Sequence, residues 1–90
     1  KKGFKWLKEN IGKMDDEIKK NDATIKVISE KMEWLKDTKS GAASMGEEAR
    51  KKLIDLSWKQ GDDLVKSNLG LKRAKLEMSF QLRAAQKAQQ

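Results

Sequence analysis

The sequence predicts an all-α fold: an antiparallel helical hairpin (coiled coil) that assembles into a four-helix bundle or larger helical oligomer. Three observations carry this expectation. The 90 residues contain no proline, apolar side chains recur at helical spacing along both halves, and a short uncharged stretch of small residues separates the halves. A proline in a helix interior costs roughly 3 kcal/mol, so its absence permits long unbroken helices. At 10.3 kDa the chain is one small domain over residues 1–90.

The first half has the more regular pattern. With Phe4 at position a of a heptad, a reads Phe4, Ile11, Ile18, Ile25 and Met32, and d reads Leu7, Met14, Asn21, Ile28 and Leu35. Such 3-4 spacing over five heptads keeps one narrow stripe facing a partner, which is the signature of a coiled coil. It predicts one helix from about Lys2 to Lys39. Asn21 interrupts the apolar seam and has two readings. It is a buried amide that penalises misaligned pairing, or a fraying point at Asn21-Asp22-Ala23-Thr24. Trp6, Val27 and Trp34 fall at position c, off the seam. Two tryptophans there call for cover by further helices or by another protein.

Residues 40–44, Ser-Gly-Ala-Ala-Ser, carry no charge and form the expected turn. Gly41 suits the left-handed position that closes a helix. Ser44-Met45-Gly46-Glu47 matches a capping box, in which a serine hydroxyl and a glutamate satisfy the first free amides of the next helix.

The second helix is expected over about 45–88. Ile54, Trp58, Gly61, Val65, Leu69, Leu76 and Phe80 form one stripe, in which Ile54, Val65, Leu76 and Trp58, Leu69, Phe80 each recur every 11 residues. That period corresponds to a straight or slightly right-handed path. Leu53, Leu56, Leu64, Leu71, Met78, Leu82 and Ala85 form a neighbouring stripe. Together they are too wide for one partner helix. A turn centred near Ala42 would pair residues whose numbers sum to about 84, setting Phe4 near Phe80 and Ile25 near Lys59. Helix 1 then offers one seam and helix 2 offers two, so a further partner is expected: a second copy or another helical protein. The residues expected at that interface are Ile54, Trp58, Val65, Leu69, Leu76, Phe80, Trp6 and Trp34.

Charge is polarised along the chain. Residues 1–8 carry +4, residues 66–90 carry +5, and 9–65 carry −2. A hairpin gathers Lys1, Lys2, Lys5, Lys8, Lys72, Arg73, Lys75 and Arg83 towards one end. Such an end suits an anionic membrane surface, an acidic protein or, less well, nucleic acid, or it is simply solvated surface. For the membrane, Phe4, Trp6, Leu7 and Ile11 interleave with lysines as in interfacial helices, although Trp6 lies off the Phe4–Leu7–Ile11 face. For nucleic acid, no recognition motif accompanies the charge.

Chemistry is sparse. The chain has no Cys and no His, which removes disulfides, thiolates and the zinc, haem and Ser-His-Asp arrangements. Asp15-Asp16-Glu17 and Asp62-Asp63 are neighbours whose side chains diverge on a helix. No phosphate-binding or EF-hand spacing occurs. No enzymatic activity, cofactor or metal is therefore expected. No apolar run approaches the ~20 residues that span a bilayer, and no signal peptide is evident. The start at Lys1 points to an excised segment of a longer chain. A mean hydropathy of −0.88 would also suit disorder, but the periodic isoleucines and leucines favour folded helices. The functional expectation is a non-enzymatic protein–protein assembly module.

Overall fold

The computed structural model describes residues 3–37 and 39–89. Among them the chain forms two long helices, α1 (Phe4–Lys36) and α2 (Glu47–Ala88), with a short 3-10 turn (Gly41–Ser44) between them. The helices pack side by side as a hairpin, a rod of 65 × 16 × 14 Å. Lys1, Lys2, Thr38 and Gln90 lie outside the described residues.

On α1 the heptad seam faces α2. Leu7, Ile18, Asn21 and Leu35 are buried, and Phe4, Ile11, Met14, Ile25, Ile28 and Met32 are half-buried. The helix runs unbroken through 21–24, where Thr24 Oγ1 donates to the Lys20 carbonyl at 3.1 Å.

The inward face of α2 differs from both stripes read in the sequence. Arg50, Ile54, Ser57, Gly61, Leu64, Asn68, Leu71, Lys75, Met78, Leu82 and Ala85 are all buried or half-buried. They alternate in steps of four and three, a heptad seam matched to that of α1. Its members take in most of the second stripe and only Ile54 and Gly61 of the first. Small residues let the helices approach: a Cβ on Gly61 would already lie 3.6 Å from Ile28 Cγ2.

The pairing is offset from the expected one. Asn21 meets Asn68 and Asp15 meets Lys75, so facing residues sum to about 89–90 rather than 84. The cause is the connection. It folds back beside the end of α1 instead of bridging the two ends symmetrically, and the first turns of α2 extend past Lys36.

The connection also differs in detail from the expected one. α1 ends at Lys36, three residues before Lys39, and Asp37 Oδ1 accepts from the Lys39 amide at 2.9 Å. Gly41 is not left-handed, since no described glycine has positive φ. Ser40 is the capping serine. Its hydroxyl donates to the Trp34 carbonyl at 2.6 Å and accepts from the Ala42 amide at 3.2 Å. Ser44 does not cap α2: its hydroxyl donates to the Gly41 carbonyl at 2.7 Å, and Gly46 occupies the cap position without a side-chain bond. Glu47 thus stands in the first turn, where with Glu48 it faces the positive end of the helix dipole. Ala42, in the 3-10 turn packed against α1, is fully buried.

Candidate functional site

Two polar contacts set how the helices face each other. Asn21 Nδ2 donates to Asn68 Oδ1 at 2.9 Å, and Asn68 Nδ2 donates in turn to Asp22 Oδ1 at 2.8 Å. Both asparagines are buried. In an apolar seam an amide without a partner is costly, so this layer favours the one alignment in which both side chains are satisfied. About two turns away, Lys75 Nζ donates to Asp15 Oδ1 at 2.7 Å, while Lys19 lies 3.1 Å from Asp15 Oδ2. The hydrogen bond from Lys75, followed by that from Lys19, holds the Asp15 carboxyl below its ordinary value. Lys75 is therefore a seam residue with an acidic partner, not a free charge of the basic end.

Apart from Ile54 and Gly61, which the seam shares, the stripe of 11-residue period lies outside this seam. Trp58, Val65, Leu69, Leu76 and Phe80 are 45–60% exposed, and Ile54, a member of the seam as well, is half-buried. The two periods explain the arrangement. The 3.5-residue seam follows α1, whereas the 3.67-residue stripe drifts away from it along α2. Beside the stripe runs a shallow open furrow between the helices. One stretch is lined by Ile25, Met32, Trp58, Gly61, Asp62 and Val65 among others, the next by Asp22, Ile25, Val65, Asn68, Leu69 and Lys72. Lys72, Lys75, Leu76 and Ser79 line a third stretch. Asp62 pairs with Lys66 at 3.0 Å, and the hydrogen bond that Lys66 donates to the Asp62 carboxylate raises the Lys66 ammonium above its ordinary value.

The remaining expected residues are more dispersed. Trp34 is 47% exposed and backs the turn, where a Cβ on Gly41 would lie 3.4 Å from its Cζ2 atom. Trp6 is 38% exposed near the opposite end, and its carbonyl accepts from Asn10 Nδ2 at 2.8 Å. Neither tryptophan joins the α2 stripe. Lys5, Lys8, Lys72, Arg73 and Arg83 are exposed. Lys5, Lys8 and Arg83 lie towards the end holding the start of α1 and the close of α2. Lys72 and its neighbour Arg73 instead stand near the middle of the rod, Lys72 lining the furrow with Asp22 and Ile25. Lys1 and Lys2 are outside the described residues. Asn68 and the polar half of the α2 seam are what sequence reading missed; the spacing of Leu64, Leu71, Met78 and Ala85 at seven-residue intervals was the available signal.

No group of three or more metal-ligating side chains occurs among the described residues. No helix among them is long and apolar enough to cross a membrane. No protein family, curated protein or solved structure matches the chain.

Proposed function

We propose that this chain is a non-enzymatic assembly module: a coiled-coil hairpin that self-associates through the exposed stripe of α2 to form a helical bundle. The carrying observation is that Trp58, Val65, Leu69, Leu76 and Phe80 stay 45–60% exposed in one line, outside the seam between α1 and α2. A contiguous apolar surface of this kind marks an interaction site. The furrow beside it lets a third helix touch both α1 and α2.

Sedimentation equilibrium with circular dichroism tests the proposal. The expected result is a helical particle whose mass is a multiple of 10.3 kDa. Substituting Trp58→Glu and Leu69→Glu together should give a helical monomer, because both side chains lie outside the hairpin seam. A monomer from the unsubstituted chain at high micromolar concentration would refute self-association. Docking on an anionic membrane or on nucleic acid through the basic end is the less supported reading. The membrane face would need Leu7, which is only 2% exposed, to leave the hairpin seam.

A further inference from the structure

The large side chains of the α2 stripe, Gly61 set aside, are spaced as a palindrome. Ile54, Trp58, Val65, Leu69, Leu76 and Phe80 are separated by 4, 7, 4, 7 and 4 residues. Reversing the chain direction about Ser67 returns the same pattern, with Ile54 on Phe80, Trp58 on Leu76 and Val65 on Leu69. An antiparallel twofold pairing of two helices needs this property, since whatever residue i offers to j, j must offer to i. Resting on the assembly reading above, we infer that the partner is a second copy of this chain whose α2 lies antiparallel against the first, with the twofold axis at the level of Ser67.

Three independent features fit that occupant. First, the midpoint of the palindrome coincides with the middle of α2, which spans Glu47–Ala88, so the two copies overlap along nearly the whole helix. Second, the gaps in the apolar stripe carry complementary charge. Between Trp58 and Val65 stands Asp62, and between Leu69 and Leu76 stands Lys72. The same reversal sets Asp62 of one copy opposite Lys72 of the other, twice. Both residues line the furrow beside the stripe, and Asp62 already holds Lys66 on its own chain at 3.0 Å. Third, the chain's positive charge is concentrated in residues 1–8 and 66–90, at +4 and +5. An antiparallel pair sends the two basic ends to opposite ends of the assembly, beyond the Debye length of about 8 Å. A parallel pair would stack them on each other and would set Asp62 on Asp62 and Lys72 on Lys72.

The chain has no cysteine, so a single spin label can be placed at will. With Glu48→Cys labelled, the antiparallel register puts the two labels level with Gln86 of the opposite copy, about 57 Å apart at 1.5 Å per residue. Pulsed dipolar spectroscopy on the dimer should read that distance. A distance near the interhelical spacing of about 10 Å in a particle of dimer mass would overturn the antiparallel orientation and leave self-assembly standing. A particle of monomer mass would overturn both. Charge reversal supplies a second measurement. Asp62→Lys and Lys72→Asp should each weaken dimerisation about tenfold, and the two combined should restore it, because the paired signs are only exchanged. Additive weakening in the double variant, or no effect of either single change, would overturn the register.

Discussion

The hydrogen-bonded pair Asn21–Asn68 carries more alignment information than any apolar contact in the rod. Leucines and isoleucines tolerate sliding by a heptad, but a buried amide has to find its counterpart. Asn68→Ala would leave Asn21 buried without its acceptor at 2.9 Å, costing about 1–3 kcal/mol in urea denaturation. Replacing both by leucine removes donor and acceptor together and should recover that loss or exceed it, while relaxing the register of the hairpin. If Asn68→Ala proved silent, the layer would have no structural role. Asp15 gives a prediction of opposite character, visible only in acid. Its carboxyl is held below the ordinary 3.8 by Lys75 and then Lys19. In the window between that folded value and the unfolded one, the unfolded chain binds more protons. Stability from this carboxylate is therefore complete above the unfolded value and is lost as pH falls through the folded one. Asp15→Asn should flatten the acid limb of a stability–pH profile below about pH 4 and leave the neutral-to-alkaline shape unchanged.

At the scale of elements, the connection gives the sharpest contrast between two serines. Ser40 donates to the last turn of α1 and accepts from the 3-10 turn, so Ser40→Ala should cost about 1 kcal/mol. Ser44 makes one exposed bond to Gly41, and Ser44→Ala should stay within about 0.5 kcal/mol. Thermal unfolding of the two variants decides it; a larger loss for Ser44 would restore the capping-box assignment. That assignment was reasonable from spacing alone, because Ser44 and Glu47 do stand three apart. What spacing could not show is that the Ser44 hydroxyl is taken by the Gly41 carbonyl, or that the connection folds back and shifts the pairing by about five residues. The helices themselves were legible to different degrees. α1 announced its seam because nine of its ten members are large and apolar. The seam of α2 stayed hidden because Arg50, Ser57, Gly61, Asn68 and Lys75 belong to it, and a hydrophobic pattern does not register polar or small residues. The exposed stripe was legible for the same reason reversed: its large apolar side chains stand out in the sequence whether or not they pack within the hairpin.

At the scale of the whole molecule, a rod 16 × 14 Å in cross-section is a single interface with no centre. The buried apolar side chains among the described residues are Leu7, Ile18, Leu35 and Ala42, and most of the seam keeps some contact with water. Domains of this size are marginal even when compact, and an extended hairpin buries less again. Pairing through α2 would add a second interface along the same helix, so folding and association should be linked. For a dimer that unfolds to separate chains, each tenfold rise in concentration adds about 1.4 kcal/mol to apparent stability. The urea or thermal midpoint of the unsubstituted chain should therefore climb with concentration. In the Trp58→Glu, Leu69→Glu variant it should lie lower and stay flat. Fluorescence gives the corresponding local signal. With Trp6→Phe and Trp34→Phe leaving Trp58 as the sole tryptophan, emission should shift to the blue over the concentration range in which mass doubles, as the indole leaves water. A midpoint independent of concentration and equal in both proteins would mean that the hairpin is stable alone and that its exposed stripe contributes nothing to folding.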